Sequence, residues 1–194
     1  MNKAERTRQF IIEKTAPIFN VKGYTGTSLS DMTEATGLTK GSIYGNFTDK
    51  DEVALACFEH NYKMVKDAIR REMDKYPSYR DKLLVYPEMY SNPKEYLFQT
   101  GGCPILNTTV EADDTHPRLR TLAGNALADW KEKLVQLIEA GKASGEFKSA
   151  TKPHQAALTI IALLEGAIVV TKSTGNRANG KAVIASVREL IEQL

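Results

Sequence analysis

The chain has 194 residues, 42% of them hydrophobic and 26% charged. That is enough to bury one or two cores without disulfides or metals, and it excludes a disordered or fibrous protein. A net charge of +2 excludes a surface coated in basic patches, so polyanion binding has to come from a local surface. The longest apolar run, 162–170, is broken by Glu165 and Gly166 and falls short of the roughly 18 to 20 residues of a membrane span. The start, Met1-Asn2-Lys3-Ala4-Glu5-Arg6, is polar and no apolar segment follows it, so a cytoplasmic location is expected. Cys57 and Cys103 stand 46 residues apart, outside any metal or redox pattern, and read as reduced packing thiols. Residues 1–50 hold seven Lys/Arg against five acids, whereas the other 144 residues hold 19 of each sign.

The apolar spacing is helical nearly everywhere, and Gly and Pro, among them Gly23, Gly37, Pro77, Pro87, Pro93, Pro104, Pro117 and Pro153, divide it into about nine helices. A first helix over 4–22 ends at Gly23, where a positive φ is cheap for glycine alone. Pro17 lies inside it and is expected to kink it. Ser28 with Asp31 three residues on has the spacing of a capping box and opens a second helix that runs to about residue 36. Gly37-Leu38-Thr39 makes a tight turn, Thr39 caps a third helix, and Phe47-Thr48 closes it. Two short helices joined by a glycine turn form a helix-turn-helix layout. At 100° per residue, Ile43 and Phe47 share one face of the third helix, set to pack with Met32 and Leu38. Gly41 and Gly45 make the opposite face, although each costs about 1 kcal/mol in a helix interior. Either they let this helix enter a major groove with Thr39, Lys40, Ser42, Tyr44 and Asn46 at its edges, or they let a neighbouring helix pack closely.

The stretch 7–58 carries Phe19-x-x-x-Gly23-Tyr24-x-x-Thr27-Ser28-Leu29-x-Asp31-Met32, then Gly37-Leu38-Thr39-Lys40-Gly41-Ser42-Ile43-Tyr44-Gly45-Asn46-Phe47-x-Asp49-Lys50. It resembles the N-terminal domain of TetR-family transcriptional regulators. The resemblance implies an all-α protein with a three-helix DNA-binding domain over 1–48 and a helical ligand-binding and dimerisation domain over 49–194. It implies a homodimer on a palindromic double-stranded DNA operator, acting as a repressor that a small apolar or aromatic effector releases. Carried over by position, Thr39, Lys40, Gly41, Ser42, Tyr44 and Asn46 contact DNA, Thr27 and Ser28 meet a phosphate at the second helix's N-terminus, and Lys50 matches a phosphate-binding lysine. Three positions depart from the pattern: Thr33 where alanine is usual, Gly45-Asn46 where an aromatic or histidine is frequent, and the internal Pro17.

Asp49 with Glu52 opens a fourth helix that runs toward Tyr76. Gly101-Gly102-Cys103-Pro104-Ile105-Leu106-Asn107 is similar to a segment at the start of the sixth helix in one branch of the family. Tyr62, Tyr86, Met89, Tyr90, Tyr96, Phe98, Cys103 and Trp130 form an aromatic and sulfur-rich set, either an effector pocket or ordinary core. The segments 152–174 and 178–194 are apolar on more than one face, as a four-helix dimer interface or a fully buried hairpin requires. His60, His116 and His154 are scattered, and the acidic cluster Glu111, Asp113 and Asp114 leads into the cap of a helix starting near Pro117. No phosphate loop, nucleophile elbow or metalloprotease motif is present, so no enzyme, metal or cofactor is expected. The competing class is a helical adaptor whose helix-turn-helix serves packing alone.

Overall fold

The computed structural model describes residues 2–92 and 101–194. All regular elements among the described residues are helical: α1 (Lys3–Gly26), α2 (Leu29–Thr36), α3 (Lys40–Tyr44), α4 (Lys50–Met73), α5 (Tyr79–Ser91), α6 (Pro104–Ala112), α7 (Pro117–Ala143), α8 (Pro153–Thr174) and α9 (Arg177–Gln193). The chain forms two compact units, Met1–Met64 with Thr100–Ala126, and Val65–Gln99 with Leu127–Leu194.

In the first unit, α1 opens one residue earlier than the spacing suggests. Asn2 Oδ1 accepts the Glu5 N–H at 2.9 Å, and Glu5 Oε2 accepts the Asn2 N–H at 2.9 Å, a reciprocal cap of two otherwise orphaned donors. The helix keeps helical dihedrals through Pro17, and its break falls at Gly23, with φ 72°. The expected kink at Pro17 gives way because proline's fixed φ suits a helix, and the bond it forfeits belongs to the carbonyl of exposed Glu13, open to water. Ile11, Ala16 and Phe19 line the buried stripe of α1, with Met32, Ile43, Phe47, Val53, Cys57 and Phe58 completing the core. Each buried Ile, Val, Met or Phe side chain here contributes about 1.5–3 kcal/mol on burial. Thr15 Oγ1 lies 2.8 Å from the Ile11 carbonyl and 3.2 Å from Cys57 Sγ, which satisfies the hydroxyl inside that core.

In the second unit, α8 packs on α9 and both pack on α5. Leu83, Leu134, Ile138, Ile160, Leu164, Ile168, Val187 and Ile191 fill the space between helices. Gly180 lets α9 approach α8: a Cβ there would sit 3.0 Å from the Ala167 carbonyl oxygen. Pro87 does not divide helices as its residue type suggests. It lies within α5 with its ring buried, so apolar packing outweighs one missing backbone bond. Over an 18-residue window within its 22 residues, α8 is apolar enough to cross a membrane by length and composition, which counting uninterrupted runs overlooks. Its apolar residues split between the stripe of Ala157, Ile160, Leu164 and Ile168, buried in this unit, and an outward face with Leu158 51% and Val169 47% exposed.

Candidate nucleic-acid interface

The helix-turn-helix is built from local caps. Ser28 Oγ accepts the Asp31 N–H at 3.1 Å while Asp31 Oδ2 accepts the Ser28 N–H at 2.8 Å. Gly37 ends α2 in the left-handed region at φ 68°, and Thr39 Oγ1 accepts the Ser42 N–H at 3.2 Å to start α3. Met32, Ile43 and Phe47 are buried, which fixes the inward face of α3. Thr39, Lys40, Gly41 and Gly45 are consequently exposed, with Ser42, Tyr44 and Asn46 half-buried beside them. A Cβ at Gly41 would meet only Thr39 Oγ1, at 3.9 Å, and one at Gly45 would meet only backbone oxygens of Gly41 and Ser42. Among the described residues no neighbouring helix approaches either position, so close packing between these helices does not account for the two glycines.

Two of the expected phosphate partners are accessible. Ser28 is exposed at the α2 N-terminus, and half-buried Lys50 holds its Nζ 4.5 Å from the Tyr24 ring centroid. Thr27 differs: it is fully buried, and its hydroxyl donates to the Gly23 carbonyl at 2.6 Å, so its side chain shapes the junction and is not offered to a ligand. Asn46 also commits part of its amide, Nδ2 donating to the Ser42 carbonyl at 2.8 Å. Lys22 Nζ lies 2.6 Å from Asp31 Oδ1. This pairing first, and the Ser28 bonds next, hold the half-buried Asp31 carboxyl far below the usual carboxylate range.

Tyr24 of the motif and three residues outside it, Arg8, Glu111 and His116, complete the surface. Arg8 donates from Nη1 to the Asn46 carbonyl at 2.6 Å, pairs through Nη2 with Glu52 at 2.7 Å, and stacks 3.9 Å over the Phe47 ring. Tyr24 donates its hydroxyl to Asp51, which lowers the Asp51 pKa and, with burial second, pushes the phenol up to about 12. His116 meets the Tyr24 ring edge-on at 4.6 Å. Its Nδ1 accepts the Leu119 N–H at 3.2 Å, which puts the proton on Nε2, facing Asp51 Oδ2 at 3.5 Å. His116 therefore caps α7, the role the sequence suggests for the nearby acids. Glu111 instead reaches α1, accepting the Tyr24 N–H at 2.8 Å and the Thr25 N–H at 2.9 Å. Sequence spacing carries no trace of these long links, Tyr24 to Asp51 across 27 residues, Arg8 to Asn46 across 38 and Glu111 to Tyr24 across 87.

The aromatic set is divided. In the second unit Trp130 stacks with Tyr86 at 6.1 Å and Tyr90 at 6.0 Å, with Met89 buried in the same unit. The Tyr90 hydroxyl donates to Glu165 Oε1 at 3.1 Å. Trp130 Nε1 is buried and meets no acceptor among the described residues. An open cavity of about 580 Å³ in this unit is lined by Glu72, Tyr76, Asp81, Val85, Glu88 and Met89 among others, so of the described members of the expected set it takes Met89 alone. Tyr62 and Cys103 sit in the first unit: Tyr62 donates to the Ala126 carbonyl at 3.0 Å, and buried Cys103 precedes α6. Tyr96 and Phe98 lie outside the described residues.

Two family models match the chain, "Bacterial regulatory proteins, tetR family" over residues 11–57 and "Tetracyclin repressor-like, C-terminal domain" over 80–187. A TetR-family transcriptional regulator from Cytophaga hutchinsonii is 51% identical, with a TM-score of 0.95 over 98% of this chain and 96% of that one. A TetR transcriptional regulator from Chloroflexus aurantiacus is 33% identical, with a TM-score of 0.92 over 100% and 98% of the two chains. The HTH-type transcriptional repressor DhaR of Mycobacterium sp. strain GP1 is 25% identical over 173 residues, 88% of this chain and 84% of that protein.

Proposed function

Because this chain belongs to the TetR family, and is thus a DNA-binding transcriptional regulator and not an enzyme, we propose that it is a dimeric repressor whose operator grip is released by a small molecule. The observation that carries this reading is the bare outer face of α3, where Gly41 is exposed and free of neighbours. A backbone without side chains can lie deep in a major groove while Thr39, Lys40, Ser42, Tyr44 and Asn46 reach bases and phosphates at its flanks. The α2 N-terminus at Ser28 and the Lys50 ammonium supply phosphate contacts that fix register.

Residues 1–48 read DNA in this proposal, and residues 49–194 sense the effector and dimerise. The exposed apolar face of α8, carrying Leu158 and Val169, with half-buried Val183 and Leu190 on α9, supports a homodimer through the last two helices. Tyr86, Met89, Tyr90 and Trp130 support an aromatic or apolar effector, and the Trp130 indole N–H calls for one that also carries a hydrogen-bond acceptor. Binding that favours one arrangement of the dimer shifts the population away from the DNA-competent form, without catalysis or cofactor. A regulator of this kind works where the chromosome is, in the cytoplasm.

Selection of duplexes from a random DNA pool tests the reading, with Tyr44→Ala as control. The expected result is a palindrome whose half-sites lie about ten base pairs apart, with binding that weakens steeply as salt rises and enrichment that is lost in the control. No enrichment, and a control equal to the wild type, would return the helix-turn-helix to a packing role.

A further inference from the structure

The recognition surface is held from a part of the chain that the motif does not include. Residues 101–112, far downstream in sequence, belong to the first unit and bond to the end of α1 at two places. Asn20 Nδ2 donates to the Gly102 carbonyl at 2.9 Å, and Asn107 Nδ2 donates to the Asn20 carbonyl at 3.0 Å. Beyond them, the two oxygens of the Glu111 carboxylate each take one backbone N–H, from Tyr24 and Thr25, at the point where α1 breaks. The fit is close. A Cβ on Gly23 would lie 2.3 Å from Glu111 Oε2, and the φ of 72° at Gly23 turns the two amides toward the carboxylate.

Both amides lead to a residue assigned to phosphate. Tyr24 supplies the ring under Lys50 Nζ and the hydroxyl bound by Asp51. Thr25 is three residues before Ser28, and between them the buried Thr27 bonds back to the Gly23 carbonyl, so the turn is tied at both ends. We infer that Glu111 is a positioning residue for operator binding: from the end of α6 it fixes the Gly23–Thr25 turn, and through Tyr24 it sets the lysine that meets the DNA backbone. It touches no DNA itself. Its charge is opposite in sign to that of a phosphate-binding group, and its work is to order the donors that do the binding. The inference rests on the operator-binding reading above.

The test compares wild type, Glu111→Ala, Glu111→Gln and Lys50→Ala, together with the Glu111→Ala/Lys50→Ala double variant, on the palindrome selected by the wild type. Affinity is measured across a salt series, with far-UV circular dichroism and thermal melting beside it. Glu111→Ala is expected to weaken binding about tenfold and to lower the salt slope by about one per subunit, as loss of a phosphate-bound lysine does. Glu111→Gln keeps one acceptor oxygen and is expected to fall between, while Glu111→Ala is expected to add little once Lys50 is gone. If Glu111→Ala lowers only the melting temperature, with affinity and slope of the folded protein unchanged, the inference is overturned. If it fails to fold, Glu111→Gln decides on the same two readouts, an unchanged slope overturning the inference. If the effects of Glu111 and Lys50 simply add, Glu111 does not act through the lysine and the inference also falls. Failure of the wild type itself to select any sequence is a separate result, and it removes the operator-binding reading first.

Discussion

The two units differ in what their polar groups chiefly do. In the first, hydroxyls, carboxylates and amides close the ends of short helices: Ser28 and Asp31 on α2, Thr39 on α3, Asp49 and Glu52 at the start of α4, where Asp49 Oδ1 accepts the Glu52 N–H at 2.8 Å and Glu52 Oε2 accepts the Thr48 N–H at 2.7 Å. In the second, long helices lean on one another through buried aliphatic side chains and stacked aromatic rings, and polar groups such as the Tyr90 hydroxyl and the Trp130 indole sit inside. The difference teaches that the first unit is a presenting device, in which side chains are spent on shape so that a backbone face can be left bare. The second is a packing device, held by its buried interior; under the function proposed above, that interior would also select the effector.

The sharpest way to break this contrast is to fill the bare face. Gly41→Leu adds a side chain where the nearest atom is Thr39 Oγ1 at 3.9 Å, so folding should be unharmed or improved, since glycine in a helix costs about 0.5–1 kcal/mol against alanine. Operator affinity, read by fluorescence anisotropy, should fall about a hundredfold or more while the melting temperature holds, because the new side chain stands between backbone and bases. A variant that melts early would mean that packing, not presentation, chose glycine.

The second unit should respond in the reverse order. Leu164→Ala removes a fully buried side chain from α8 and should cost about 2–5 kcal/mol in denaturant unfolding. Operator affinity of the folded dimer, measured well above its dissociation constant, should change far less than in Gly41→Leu.

Acid should separate the units more gently. Asp31 and Glu52, both in the first unit, have carboxyls held below their ordinary values of 3.8 and 4.5, Asp31 chiefly by Lys22 and Glu52 chiefly by Thr48. A depressed folded-state pKa contributes stability above the unfolded value and loses it as pH falls toward the folded one. Stability should therefore decline below about pH 4, and Asp31→Asn should flatten part of that limb in a series of melts. The smallest expected effect is at Cys57, whose thiol burial pushes up to about 12. A thiol reagent at pH 8 should leave Cys57 unlabelled in the native protein and label it in denaturant.

What the sequence made legible follows the same division. The caps at Ser28 and Thr39, the stop at Gly23 and the turn at Gly37 depend on residues three or four apart, so spacing alone placed them. Pro87 misled because a residue's local preference yields to the apolar contacts its ring makes in a core. Glu111 read as part of an acidic run before a helix and His116 as one of three scattered histidines, since their real partners, the Tyr24 amide and the Tyr24 ring, come from the other side of the unit's chain order. The aromatic set was legible as composition, but only the fold shows that Trp130 stacks with Tyr86 and Tyr90 while Tyr62 turns to Ala126 in the other unit.

One guanidinium carries a mechanical consequence. Arg8 grips the carbonyl at the end of α3, the ring of Phe47 and the carboxylate of Glu52 at once, welding α1, the recognition helix and the root of α4 into one piece. The C-terminal end of α3 is thereby tied to both of its neighbours. On the dimeric operator proposed above, each base pair added between half-sites would turn the far one by about 35° around the duplex. The spacing of such a site would then be read by the whole headpiece, as a key reads the pitch of a thread.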